Sequence, residues 1–352
     1  MTRSGKKALV VGGSGLVGRH LIQALAADDW EIVSTQRRVP TEVFATHRVI
    51  ALDLLDGRAA RAALGEAGDV THVFFLARAW QPGYLIERNA NVEALTVVLE
   101  ALQDLPSLMH VQLIHGLKWY GSTLGPFQNP ARESDPKLPV EHFYYDQRAL
   151  VEARARGRHW HWSTLRPHCV CGIATGSPSN LMLGLGVYAA LTRAQGKPLS
   201  FPSTQAAFEA RLTVTNADLL TRAMLWAATD PAAQDQDFNV ANGDTFSWRE
   251  VWPVYASAFG MEPAGPQPRA LCEEMPTLAE RWRELARREG LAFDELSTLV
   301  DWHFMDATLA LGWDQTMSLD KLRRHGFGDA VDTSAMILDI LTAYRHQGIL
   351  PR

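Results

Sequence analysis

Ala8-Leu9-Val10-Val11-Gly12-Gly13-Ser14-Gly15-Leu16-Val17-Gly18-Arg19-His20-Leu21 is the stretch whose reading decides the fold. A short apolar run, a glycine-punctuated turn and then apolar spacing through Leu16, Val17, Leu21, Ala24 and Leu25 predict strand, tight loop and helix. Gly12 lets the chain turn off the strand, Gly15 lets backbone approach a pyrophosphate, and Gly18 lets the helix lie against the sheet. The helix N-terminus then offers its free N–H groups to an anion, so the pattern reads as a dinucleotide cradle.

The rest of the chain repeats strand and helix. Trp30–Thr35, Val49–Leu54, Thr71–Ala77, Leu108–Ile114 and His161–Arg166 read as further strands. Helices are expected between them, notably Tyr84 to Leu102, with Asn91 inside it as a poor helix former whose amide can hold the next strand's backbone. Regular alternation predicts parallel pairing with right-handed crossovers, hence a doubly wound α/β sheet whose C-terminal strand edge carries the ligand. The expected organisation is a dinucleotide-binding unit at 1–175, with 209–242 returning to it, and a smaller, mainly helical cap from 176–208 and 243–352. Within the cap, helices are expected at Asn180–Gln195, Leu278–Glu289, Asp294–Phe304 and Ser334–Tyr344, and a short strand at Arg211–Val214.

Composition narrows the function. With 352 residues, 47% hydrophobic and 21% charged, the chain can bury a large core. A formal net charge of -5 with scattered Lys and Arg predicts no nucleic-acid partner. Met1–Lys7 is polar and no apolar run is long enough to span a bilayer, so a soluble cytoplasmic protein without membrane contact is expected. Cys169, Cys171 and Cys272 lack metal-ligand spacing and read as reduced packing residues, and no metal is expected.

Cofactor choice is read from the second strand. It ends in Gln36-Arg37-Arg38, where an NAD site would carry an acid for the ribose hydroxyls, and two guanidiniums suit a 2′-phosphate instead. NADPH is therefore the expected cofactor. Asp53 can accept from an adenine amino group or cap the following helix, and both readings stand open. Small Ala77 ends the fourth strand where a cofactor would pass.

Two later segments carry candidate chemistry. They are His115-Gly116-Leu117-Lys118-Trp119-Tyr120-Gly121 and His142-Phe143-Tyr144-Tyr145-Asp146-Gln147-Arg148. Short-chain dehydrogenases use a tyrosine with a lysine one helical turn later, so that the phenol polarises a substrate oxygen and the ammonium lowers its pKa. Here the position four after Tyr144 is Arg148. Lys118 is the lysine placed to reach Tyr144 on the same sheet edge; alternatively it is a surface loop residue and Tyr144 a packing aromatic. Loss of Tyr-x-x-x-Lys also counts against a sugar-nucleotide epimerase.

From Gly12–Gly18 through Gly116-Leu117-Lys118-Trp119-Tyr120, Phe143-Tyr144-Tyr145, Trp162–Pro167, Val187–Ala190 and Phe238–Asp244, the chain resembles the progesterone 5β-reductase and iridoid synthase-like enzymes. These are an atypical branch of the extended short-chain dehydrogenase/reductase superfamily. The resemblance implies that Lys118 and Tyr144 are catalytic, that Tyr145 is structural, and that hydride passes from NADPH to the C=C of an α,β-unsaturated ketone or aldehyde. It implies cofactor contacts at Gly12, Ser14, Gly15, Leu16 and Val17, at Arg37, Arg38, Asp53 and Leu54, and at Leu76, Ala77, Asn91, His115, Pro167 and Val170. The chain departs from the family pattern at Arg78, with Trp80 two positions on, and at His115, His142 and His168. Arg78, Trp80, His142 and His168 fall on the substrate side and are the candidate contacts to a small apolar carbonyl substrate. Arg78 is read as a solvated loop residue, with recognition of an anionic substrate as the sharper alternative. These changes leave carbonyl reduction on the same scaffold as the alternative reaction, with an NADP-sensing regulator as a non-enzymatic rival. A homodimer is left open.

Overall fold

The structure, a computed structural model, describes residues 5–37, 47–177 and 179–352. Strands β1 (Lys7–Val11), β2 (Glu31–Gln36), β3 (Arg48–Ala51), β4 (His72–Phe75), β5 (His110–Ile114) and β6 (His161–Pro167) alternate with helices α1 (Leu16–Ala27), α2 (Gly57–Gly65), α3 (Tyr84–Leu102) and α4 (Phe143–Ala155). Further along come β7 (Val170–Cys171), α5 (Leu181–Ala194), β8 (Leu199–Phe201), α6 (Gln205–Glu209), β9 (Thr215–Asn216), α7 (Ala217–Thr229), β10 (Gln236–Val240) and α8 (Trp248–Ala258). The main sheet has seven parallel strands in the order β10-β6-β5-β4-β1-β2-β3, the doubly wound Rossmann arrangement.

Strand β1 shows why the sheet is covered on both faces. Its residues alternate between two cores, Ala8 and Val10 packing with Leu21, Leu25 and Phe238, and Leu9 and Val11 packing with Val73, Leu95 and Leu113. The sheet also buries polar side chains. Nε2 of His110 sits 2.8 Å from Oγ of Ser163, and Gln112 donates through Nε2 to the carbonyl of Met224 at 3.0 Å. Burial pushes His110 down to about 3 and His72 down to about 4, since neither can hold a proton cheaply away from water.

A third core lies beyond the sheet. It joins α5 to Trp252 and Tyr255 of α8, to Trp282 and to Tyr344 in the last helix, Thr333–His346. Asn180 caps α5 by accepting from the N–H of Leu183, and its Nδ2 donates to the Tyr344 hydroxyl at 2.8 Å, which ties the two helices.

Two expectations from the sequence change. Asp294–Phe304 is not one helix: Leu296–Leu299 and Trp302–Leu309 are separated by extended Val300, and Asp301 accepts from the N–H of Phe304 to start the second. Arg211–Val214 forms no strand of its own; Leu212 makes two isolated bridges, to Phe246 and to Gln315. Among the described residues, no helix is long and apolar enough to cross a membrane and no cluster of potential ligands could hold a metal ion.

Candidate active site

The loop after β1 is shaped by close packing. Gly12 has φ +95, a conformation that favours glycine, and a side chain there would also meet the backbone of Ala77 at 3.0 Å. A Cβ on Gly18 would lie 2.5 Å from the Gly12 carbonyl oxygen, so only glycine lets α1 pack this closely on the loop. Gly15 has only the Gly12 oxygen near its Cβ position, at 3.6 Å, and the N-terminus of α1 opens there. These are the backbone conditions that a dinucleotide phosphate needs.

Two cavities flank this loop. One of about 600 Å³ is lined by Gly12, Ser14 and Gly15, by Arg37 from the end of β2, by Asp53 and Leu54 after β3, and by Leu76 and Ala77 after β4. Arg38 lies outside the described residues. The second cavity, of about 390 Å³, is lined on one side by Leu16, Val17, Pro167 and Val170, and on another by His115, Lys118, Tyr144 and His168. Successive residues line the two cavities, Gly12, Ser14 and Gly15 the first and Leu16 and Val17 the second, and this donor set fits a dinucleotide.

Lys118 and Tyr144 reach the second cavity from different elements. Lys118 sits in a short 3₁₀ turn, Leu117–Tyr120, directly after β5; Tyr144 is in the first turn of α4. The turn is braced from below: the Arg166 guanidinium lies 3.7 Å above the Trp119 ring, donates to the Tyr120 hydroxyl at 3.0 Å and pairs with Asp237 at 3.1 Å. Tyr145 donates its hydroxyl to the carbonyl of Trp119 at 2.6 Å, locking α4 to the same turn. By contrast the Lys118 ammonium and the Tyr144 hydroxyl hydrogen-bond to no protein group among the described residues. Burial raises the Tyr144 phenol above its ordinary range and keeps it protonated; burial and then the Arg78 charge lower the Lys118 ammonium.

Aromatic rings hold Tyr144. His115 stacks between Trp119, at 5.6 Å, and Tyr144, at 4.6 Å. Burial keeps His115 far below the ordinary histidine range, so it packs as a neutral ring, and neither ring nitrogen has a partner among the described residues. His168 is likewise pushed down to about 4 by burial.

Several candidate residues sit elsewhere than the sequence suggests. Asn91 lines neither cavity: its buried amide accepts from the N–H of Ala79 and donates to the carbonyls of Ala79 and Glu87, clamping the loop after β4 rather than the next strand. Asp53 does not cap α2, because Asp56 does so through the N–H of Ala59; Asp53 accepts from the N–H of Leu55 at the cavity edge. Arg78 and Trp80 line the first cavity, not the second, and the Arg78 guanidinium is taken by Glu87 at 2.7 Å. His142 caps α4, its Nδ1 accepting from the N–H of Tyr144 at 3.2 Å, and also lines neither cavity. Burial and the Lys118 charge push it down to about 4.

The apolar wall of the second cavity comes from residues that no motif marks. Leu181, Trp248, Phe304 and Leu311 lie there, with Cys169 of the cysteine pair. Leu212, Val214 and Gln315 add a further wall, built where the 211–214 segment hydrogen-bonds to 315 and 246. Leu181 and Phe304 fall in stretches read as helices, but no local pattern shows that these separate stretches meet on one cavity.

Comparisons with known proteins bear on the family and the fold. A family model described as the PRISE-like Rossmann-fold domain matches residues 51–301. An (S)-8-oxocitronellyl enol synthase of Camptotheca acuminata is 32% identical over 366 residues, covering 98% of this chain and 93% of that protein. A 3-oxo-Delta(4,5)-steroid 5-beta-reductase of Arabidopsis thaliana is 31% identical over 364 residues, again covering 98% and 93%. Among solved structures, a putative epimerase from Burkholderia cenocepacia superposes with a TM-score of 0.68 at 20% identity, over 98% of this chain and 99% of that one. UDP-glucose 4-epimerase from Thermotoga maritima does so with a TM-score of 0.69 at 15% identity, over 97% and 99%; at these identities the likeness concerns the fold alone. The chain belongs to the PRISE-like Rossmann-fold family and is an oxidoreductase.

Proposed function

We propose that the protein is an NADPH-dependent reductase that saturates the C=C bond of an α,β-unsaturated ketone or aldehyde. The observation that carries this reading is the pairing, on one cavity, of an ammonium and a phenol that hydrogen-bond to no protein group among the described residues. When bound, the cofactor supplies a hydride. Gly12, Ser14 and Gly15 would hold its phosphates, Arg37 its 2′-phosphate, and Leu16, Val17 and Val170 its nicotinamide end.

Tyr144 would donate a hydrogen bond to the substrate carbonyl oxygen, which gains negative charge as the β-carbon is reduced; the resulting enolate would then take a proton from solvent at its α-carbon to give the saturated carbonyl. Its raised pKa suits a donor that stays protonated. The Lys118 ammonium would favour the developing enolate in a site where charge is poorly screened, and donors of this kind contribute on the order of 3 kcal/mol. Leu181, Trp248 and Phe304 would exclude water around the hydrocarbon part of the substrate.

Cyclohexenone with NADPH tests the reading. A saturated ketone is expected. An allylic alcohol would assign direct carbonyl reduction instead, with Tyr144 delivering its proton to the alkoxide.

A further inference from the structure

One polar group in the second cavity is not used by this chemistry. Gln315 is only 3% exposed, and its carboxamide oxygen has no hydrogen-bond partner among the described residues. Buried side-chain acceptors are nearly always paired, so an orphan on the wall of a ligand cavity points to a partner that the ligand brings.

Backbone pairing decides which way the amide faces. Gln315 donates its N–H to the carbonyl of Arg211 and accepts from the N–H of Thr213, so the two segments run as a short ladder. Side chains on such a ladder alternate between its faces. Arg211, Thr213, Asp314 and Thr316 face a separate polar cavity of about 480 Å³, whereas Leu212, Val214 and Gln315 face the apolar one. Leu212 is bridged to Phe246 on its other side, and Trp248, two residues beyond, lines the same cavity. The Trp248 indole N–H donates to no protein acceptor among the described residues.

We propose that Gln315 is a specificity-determining residue whose carboxamide binds a hydroxyl group on the otherwise apolar carbonyl substrate. The proposal rests on the reductase reading for the identity of the reacting end. A hydroxyl both donates and accepts, so it pairs with whichever end of the amide is turned toward it and can also take the Trp248 N–H. An all-hydrocarbon chain would instead cover the amide and leave it unpaired, the arrangement by which a site rejects a substrate analogue lacking its hydroxyl.

The test uses (E)-3-hexen-2-one, (E)-3-octen-2-one and (E)-3-decen-2-one, each beside its ω-hydroxy counterpart. Binding to the NADP⁺-loaded protein is followed by tryptophan fluorescence, and turnover with NADPH is measured separately. For at least one chain length the hydroxylated compound is expected to bind about tenfold more tightly than the plain enone. Gln315→Met should abolish that preference while retaining the plain enone's affinity, and Gln315→Glu, which keeps an acceptor, should preserve it. Equal binding of every pair by the unmodified protein, no binding of any compound, or an undiminished preference in Gln315→Met would each overturn the proposal. Binding is read without turnover, so a hydroxyl preference without NADPH oxidation counts against the reductase reading and not against Gln315.

Discussion

The rings of His115 and Tyr144 lie 4.6 Å apart at an interplanar angle of 27°, so the candidate catalytic phenol is stacked on a neutral imidazole. His142 stands 4.5 Å away, with its ring tilted by 50°, and caps the helix that carries Tyr144. The phenol is therefore fixed by packing and by backbone, while its hydroxyl is left for a ligand. Such pre-orientation is what an oxyanion donor requires.

Tyr144→Phe should lower kcat roughly a hundredfold to a thousandfold. NADPH affinity should stay near that of the unmodified protein, since the substitution removes one oxygen and retains the ring contacts with His115 and His142. Steady-state kinetics with cofactor titration checks this, and near-normal turnover would remove Tyr144 from the reaction.

In the proposed reaction Lys118 would act as a cation, and burial and Arg78 lower its pKa below the ordinary lysine value. Charge on the ammonium is present below that pKa and lost as pH rises through it, so kcat/KM should fall on the alkaline side earlier than a free lysine would cause. Arg78→Ala removes a like charge and should move this limb to higher pH. Lys118→Met should remove the limb along with most of the activity.

Arg37 lines the first cavity and is the residue proposed to meet a 2′-phosphate. Arg37→Ala should weaken NADPH about tenfold to a hundredfold and leave NADH unchanged, because a charge-assisted phosphate contact is worth roughly 1.5–3 kcal/mol. Equal losses for both cofactors, read by titration, would refute the role.

Acid should destabilise the fold through its buried histidines. His110 is lowered to about 3, and His72 and His168 to about 4, all chiefly by burial. Each favours the neutral native form fully above pH 6.5, the unfolded value, and that contribution is lost as pH falls from there toward the folded value. The slope per histidine approaches about 1.4 kcal/mol per pH unit. Tm measured from pH 8 to 4 should drop most steeply below 6.5, and His110→Gln should flatten the curve.

Asn91→Leu should lower stability by roughly 1–3 kcal/mol, since the partly buried N–H and carbonyl of Ala79 lose their partner. The loop that carries Arg78 should loosen with it, which hydrogen exchange at Ala79 would detect.

Much of this molecule is legible along the chain. The run from Ala8 to Leu21 determines a strand, a tight turn and a helix because glycine, apolar alternation and helical spacing act over a few residues. The repetition of that unit determines the parallel sheet and the edge on which a ligand sits. The types of the candidate groups, a lysine after β5 and a tyrosine opening α4, are visible there as well. Local pattern could not show that Asn91 and His142 serve backbone groups, that Arg78 is spent on Glu87, or that Asp56 and not Asp53 caps α2. Nor could it bring Gln315 and Trp248 beside Lys118 and Tyr144. Those outcomes depend on which hydrogen-bonding partner lies nearest once distant segments have packed, and only the tertiary structure decides that.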